Sequence, residues 1–487
     1  MVPAYLSASR RGPEPMGNAF RTAIDRILPA AALALAFVAS GCSVAPVPRP
    51  DVDTPAQWRH APSQDTALGP APDLRGWWRA FGDPDLDRLV ERALKGNLTL
   101  KQAGYRIAAA RAMAGRAGAA FDPELGMHTF AEPTPDSSAS YFQVGFDARW
   151  ELGLFGRAES TMRIAEAELG FAESDAEAAR VSVVAEVARV YVELRAAERR
   201  LDLLTRIAES SKAKSQLIAT RERLRLARAA DTAGSEADHA LAEAALAEPR
   251  LAIERCRQQL AVLLGESEPN AVDVDANVAQ PRLDALRIAT APADLLRTRP
   301  EIRRAELSIL KAAGELGIAQ ADLYPRLALG GSLTYASRVV GHSRLAETDS
   351  IVTAGPLIDI PIFDWGARRA VVSARDAELQ AAVAGYRQAV LEGVAEVETA
   401  MATLERQRER ADDLARAVSA LERGENATAT LRRLGLADDV DRENATTALL
   451  KAKLELGEAE AARNLAFIAL YKALGGAPLP EPRATPP

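Results

Sequence analysis

Apolar residues recur along much of this chain at a period of 3.5. Val183, Val187, Val190, Leu194, Ala197, Leu201 and Leu204 follow one another at steps of four and three, which is the seam of a coiled coil. Val390, Val394, Val397, Met401 and Leu404 repeat the pattern. Each seam lies in a proline-free stretch, the first between Pro135 and Pro249 and the second between Pro361 and Pro478. The first stretch predicts one helix over Arg157 to Arg228. At a rise of 1.5 Å per residue, about 72 residues span roughly 108 Å. Breaks are expected near Asp231 to Gly234 and near Gly435 to Asp439. Partner helices follow, from Glu236 to Leu264 and on to Leu474. One further helix is expected before each hairpin region, near Asp85 to Ala119 and near Pro292 to Ala321.

Between the helices the period falls to two. Phe142, Val144, Phe146, Ala148 and Trp150 alternate with Gln143, Gly145, Asp147 and Arg149. About ten residues of apolar-out, polar-in alternation is the pattern of a transmembrane β-strand. Leu125 to Thr129 gives a weaker partner across the turn-rich Pro133 to Ser138. Leu327 to Tyr335 and Val352 to Ile362 supply two more strands. Four strands cannot close a barrel within one chain, so several copies must contribute. A pair of soluble hairpins on a helical domain is the competing reading. The fold class expected is mainly α with a transmembrane β-barrel part.

These patterns occur twice. Leu98 to Leu125 aligns with Pro300 to Leu327 at a shift of 202, with 8 identities in 28 positions, including Gly115 on Gly317 and Pro123 on Pro325. From Gly156 the shift is 210, and Val184-Ala185-Glu186-Val187 falls on Val394-Ala395-Glu396-Val397. The duplication divides the chain into repeats at 77–281, with strands near 123–152, and 282–476, with strands near 325–363. Duplication without a catalytic signature inside it points to architecture rather than chemistry.

The N-terminus adds a compartment. Arg21 and Arg26 precede the apolar run Ala31 to Ala39, then Ser40-Gly41-Cys42, which has the order of a secretory signal. The run is too short for a membrane span. Residues 1–41 therefore read as a signal peptide, better started from Met16 than from Met1. Cys42 after Ser-Gly matches a bacterial lipoprotein cleavage site, the alternative being an ordinary signal with an incidental cysteine. Ser43 permits export to the outer membrane. Residues 42–76, with Pro46, Pro48, Pro50 and Pro55, form an extended tether, and 477–487 a C-terminal tail. Formal net charge is −7, which does not recommend nucleic acid. His60, His128, His239 and His342 are scattered, with no metal spacing, and no phosphate loop or nucleophile motif occurs. No enzyme, cofactor or metal is expected. Cys256 reads as a small apolar residue on a helix.

At several points the chain resembles the TolC-like outer-membrane factor family, in its lipoprotein (NodT-type) branch. The carrying segments are Trp77-Trp78-Arg79-Ala80-Phe81-Gly82-Asp83-Pro84 and Trp150-Glu151-Leu152-Gly153-Leu154-Phe155-Gly156-Arg157, where the family usually has Asp at Gly153. Others are Arg299-Pro300-Glu301-Ile302-Arg303, Tyr324-Pro325-Arg326-Leu327, Pro361-Ile362-Phe363-Asp364 and Tyr471-Lys472-Ala473-Leu474-Gly475-Gly476. The resemblance implies a homotrimer with a twelve-stranded barrel in outer-membrane lipid and a coiled-coil α-helical tunnel in the periplasm. It implies a passive exit duct for drugs or small solutes. Its partners would be a periplasmic adaptor and an inner-membrane pump of the resistance-nodulation-division type. It places a candidate gate at the second hairpin tip, on Asp438, Asp439 and Asp441. A ring of carboxylates alone would repel itself, so some are expected to pair, with Arg432, Arg433 or Arg442 as candidates, or else to bind a cation. These aspartates also read as helix-start residues. A type I protein-secretion duct and a periplasmic coiled-coil scaffold without a pore are the alternative functions.

Overall fold

The computed structural model describes residues 46–48, 50–51, 58–59, 74–132, 141–269, 283, 299–340 and 344–476. The signal segment, Cys42, most of the tether, the Pro133 to Ser138 turn and the tail lie outside the described residues. The elements in order are a 3-10 turn (Trp77–Phe81), α1 (Pro84–Gly96), α2 (Leu98–Ala119), β1 (Glu124–Glu132), β2 (Tyr141–Glu151) and α3 (Arg157–Arg223). Then come α4 (Ala229–Ala244), α5 (Ala247–Leu264), α6 (Pro300–Ala321), β3 (Arg326–Val340), β4 (Arg344–Asp359), α7 (Ala367–Arg433) and α8 (Asp439–Ala473). The helix–hairpin–helix order α2-β1-β2-α3 recurs as α6-β3-β4-α7. Among the described residues no helix is long and apolar enough to cross a membrane.

The chain divides into two compact units. One is built around Arg116–Ile164 and Ala312–Ala377 and holds the strands. They form a single antiparallel sheet in the order β1-β2-β3-β4, so β1 and β4 are its edges. Both hairpins enter a long helix through the same turn. Phe155 and Gly156 take φ 56° and 80°, and Trp365 and Gly366 take 56° and 83°. A left-handed aromatic is costly, and this chain uses one at the same place in each repeat. Gly153 departs from the family pattern for a visible reason. It takes φ 57°, and a Cβ there would stand 2.6 Å from the Phe121 ring. Phe121 fills the space a side chain would need.

The other unit draws on Pro48–Gly115, Ala165–Lys311 and Glu378–Pro487. Its core is the α3 seam. Val187, Val190, Leu194 and Ala197 are buried together with Trp77, Phe81, Phe467 and Tyr471. The Trp77 ring stacks on Tyr471 at 5.7 Å, and its indole N–H donates to the Gly476 carbonyl at 3.0 Å. The two ends of the family pattern thus pack on each other. Asp83 caps α1, accepting from the Asp85 amide at 2.9 Å, and its second oxygen accepts from the Tyr191 hydroxyl at 2.5 Å. Burial first, then Asp83, pushes the Tyr191 phenol well above its ordinary range. Cys256 is buried in the same core, and burial pushes its thiol up to about 11.

Several helix boundaries differ from expectation, each for a local reason. The single helix near Asp85 to Ala119 is two helices. Asn97 interrupts it, accepting from the Leu100 amide at 3.1 Å and donating to the Leu263 carbonyl at 2.8 Å. There α1 approaches α5 so closely that a Cβ on Gly96 would stand 2.2 Å from the Leu264 oxygen. The long helix ends at Arg223 rather than Arg228, and the break lies at 224–228. Asp231 sits in the first turn of α4, accepting from the Arg228 amide at 3.0 Å, and Gly234 is inside the helix. The expected helix Glu236 to Leu264 is split at Ala245 and Leu246. Pro249 has no N–H for a continuous ladder and is tolerated only in a first turn. The second hairpin also exceeds its apolar pattern. β4 starts at Arg344, eight residues before Val352, and ends at Asp359, before Ile360 and Pro361.

Candidate functional site: a two-faced sheet and two hairpin tips

Residues paired across an antiparallel sheet point to the same face. The register therefore sorts every strand position. One row runs Met127, Phe146, Leu333, Val352, and a second runs Trp150, Leu329, Pro356. A third is Leu125, Ala148, Gly331, Ala354. This face is apolar and exposed, with Met127 at 66% and Val352 at 72%. On the opposite face the rows are Gly126, Asp147, Ser332, Thr353 and Glu124, Arg149, Gly330, Gly355. Ser332 and Thr353 hydroxyls meet at 2.7 Å there. Phe130, Ile351 and Leu357 are apolar exceptions on this face. Val144 and Phe146 thus fall on the apolar face, and Gln143 and Asp147 on the polar one.

The helix-proximal end of the sheet carries aromatics. Trp150 donates its indole N–H to the Phe121 carbonyl at 2.8 Å, and Phe155 stacks on Tyr324 at 4.9 Å. Phe363 and Trp365 contact each other edge to face and are 73% and 90% exposed. Exposed aromatics flanking an apolar band are the girdle expected at a membrane–water boundary.

At the other end of the long helices, the two hairpin turns share one geometry. The Leu226 amide donates to the Arg221 carbonyl at 2.7 Å, and the Leu436 amide to the Leu431 carbonyl at 2.9 Å. Gly435 supplies the left-handed residue of the second turn. Arg225 takes it in the first, with φ 60°. Leu224, Leu226, Leu434 and Leu436 project into solvent.

The three aspartates lie at the second turn in different roles. Asp438 caps α8, accepting from the Asp441 amide at 2.9 Å, while Asp441 accepts from the Asp438 amide at 3.0 Å. Asp438 also accepts from the Arg221 guanidinium at 2.5 Å, and Asp439 pairs with Arg432. The Asp441 amide, then Arg221, hold the Asp438 carboxyl below its usual range. Of the expected partners, Arg432 takes one aspartate, whereas Arg442 binds Glu443 and Arg433 bonds Thr430. Arg221 comes from the first hairpin, 217 positions away, and no sequence spacing signals it. Arg221, Arg432, Arg433, Asp438 and Asp439 line a cleft of about 550 Å³ with Leu217 and Thr220, and Asp441 is not part of its lining. Among the described residues no group of histidine, cysteine and carboxylates is placed to hold a metal.

A two-faced open sheet joined to long paired helices defines a class of membrane channel. The model of the outer membrane efflux protein family matches residues 89–266 and 291–476, and the chain belongs to that family. It is 29% identical over 474 residues to Outer membrane protein OprJ of Pseudomonas aeruginosa, covering 91% of this chain and 95% of OprJ. It is 26% identical to Nodulation protein T of Rhizobium leguminosarum bv. viciae, covering 91% and 90%. Its fold matches the open state of the Neisseria gonorrhoeae MtrE outer membrane channel with a TM-score of 0.76 at 25% identity. That match covers 89% of this chain and 98% of MtrE. The protein is an outer-membrane efflux channel.

Proposed function

We propose that this chain is the exit duct of a tripartite efflux system, passing drugs or other small solutes outward as a homotrimer. The sheet carries the reading. An apolar face suits lipid, a polar face suits a water-filled lumen, and edges β1 and β4 cannot stay unpaired inside a bilayer. Because β1 and β4 run antiparallel, β4 of one copy can pair with β1 of the next, and three copies close a twelve-stranded barrel. Cys42 is the lipid anchor at the mature N-terminus, and Asp438, Asp439 and Asp441 contribute to a gate at the tips. The exposed leucines of both tips offer an apolar surface to a periplasmic adaptor, which couples the duct to an inner-membrane pump of the resistance-nodulation-division type. The lipoprotein signal favours solute efflux over protein secretion.

The test is assembly and conductance. The full chain purified from outer membranes should run as a heat-modifiable trimer and conduct in planar bilayers, and Cys42→Ala should lose fatty-acid labelling. Monomers without conductance would leave the periplasmic scaffold reading. Replacing Asp438, Asp439 and Asp441 by Ala should change conductance and block by divalent cations. Unchanged traces would reduce all three to helix-start residues.

A further inference from the structure

His128 sits on the polar face of β1, opposite Gly145. Its Nδ1 lies 2.5 Å from Oδ2 of Asp147 on β2. The ring covers Gly145 so closely that a Cβ there would stand 2.8 Å from Cε1. Glycine at 145 therefore makes room for the imidazole, and the imidazole is held beside one carboxylate. Both side chains remain open to solvent, at 41% and 53%. By register other charged positions fall on this face, among them Glu132 on β1, Arg338 on β3 and Arg344 on β4. β1 adds Glu124, β2 adds Arg149 and Glu151, and β3 contributes Ser332 and Thr334, with Arg326 at its start. β4, which would flank β1 across the closing edge, carries Asp349 and Asp359 at positions of the same face. His128 is the histidine of this sheet, and histidine is the side chain whose charge changes across the physiological pH range.

We propose that the His128–Asp147 pair sets the ion selectivity of the barrel lumen and makes it depend on external pH. This rests on the channel reading above, with the polar face as the lumen wall. With the ring protonated, the pair is neutral overall. With the ring neutral, Asp147 leaves one uncompensated negative charge per copy at one height of the lumen. A narrow lumen bounded by low-dielectric walls focuses such a charge. The duct should favour cations and cationic solutes in alkaline surroundings and lose that preference in acid. The proton is taken from and returned to water at Nε2, because Nδ1 is buried against Asp147, with no other change of bonds.

The experiment uses full-length protein in planar bilayers under a potassium chloride gradient, read as the zero-current potential. Between about pH 8 and about pH 5, the wild type should lose roughly twofold or more of its potassium-over-chloride preference. His128→Gln should hold the alkaline value at both pH values, His128→Arg the acidic value, and Asp147→Asn should be less cation-selective than wild type at alkaline pH. A His128→Gln channel that keeps the wild-type pH profile would overturn the proposal while leaving the channel reading intact. Should His128→Gln fail to assemble, His128→Arg and Asp147→Asn carry the test, and wild-type profiles in both overturn it. A wild type that never conducts removes the channel reading and this proposal with it.

Discussion

Phe146 and Asp147 are adjacent in sequence and opposite in environment. Phe146 shares its row with Met127, Leu333 and Val352, and Asp147 shares one with Gly126, Ser332 and Thr353. A cation at the bilayer midplane costs roughly 2–4 kcal/mol on the lipid face and much less on the lumen face. Phe146→Arg should therefore deplete heat-modifiable trimer in outer-membrane fractions. Asp147→Arg should assemble at wild-type level and shift the channel toward anions. Equal amounts of trimer from the two variants would discard the facing of β2. This facing was legible in the sequence, because the alternation from Phe142 to Trp150 fixes parity without knowledge of any partner. The His128–Asp147 contact was not legible, since it depends on the β1–β2 register across a turn whose length sets no parity.

The helices were legible in kind and less so in extent. A seam such as Val183 to Leu204 repeats over many turns, so burial of the whole stripe outweighs any one residue. A break is decided by one or two side chains. Asn97 stops a helix because its amide has both the Leu100 amide and the Leu263 carbonyl to satisfy, and the second partner is remote in sequence. The start of α8 shows how such a local device can be tested. Asp438 binds the Asp441 amide and Arg221, and its carboxyl is lowered from an ordinary value of 3.8. A lowered folded value means that its stabilisation is complete above about 3.8 and is lost as pH falls through the lower, folded value. Protection of the Asp441 amide from hydrogen exchange should thus persist at mildly acidic pH and drop only in stronger acid. Asp438→Ala should weaken the first turn of α8 by about 1 kcal/mol at neutral pH. Asp438→Asn should keep most of the cap but lose the acid transition. Early loss of protection at mildly acidic pH in the wild type would contradict the assigned partners.

At the scale of the whole molecule, the two repeats share a pattern but have different neighbours. In the second repeat, α6 lies against α3 through glycine. A Cβ on Gly317 would stand 2.2 Å from the Ser160 hydroxyl, and one on Gly314 would stand 2.8 Å from the Ser160 carbonyl oxygen. Farther from the strands along the same two helices, Leu307 covers Gly170, whose Cβ would meet it at 2.7 Å. The matching positions of the first repeat are empty by contrast. Gly115, the counterpart of Gly317, meets nothing within 4 Å, and Tyr105, the counterpart of Leu307, is 77% exposed. The sheet explains the difference. Pairing of β2 with β3 brings the helix after β2 beside the helix before β3. Pairing of β4 with β1 of the next copy would likewise bring α7 of one copy beside α2 of the other. Gly115 and Tyr105 then wait for that neighbour, with Ala370 standing where Ser160 stands in the first pair. Overpacking such a contact costs about 1–3 kcal/mol per site, repeated at every copy boundary. Gly115→Leu should leave the helical circular dichroism of the detergent-solubilised monomer unchanged and abolish or heat-destabilise the trimer. Gly317→Leu should instead destabilise the single chain, because its clash is internal. A Gly115→Leu protein that forms trimers as heat-stable as the wild type would show that α2 does not take up the packing that α6 displays.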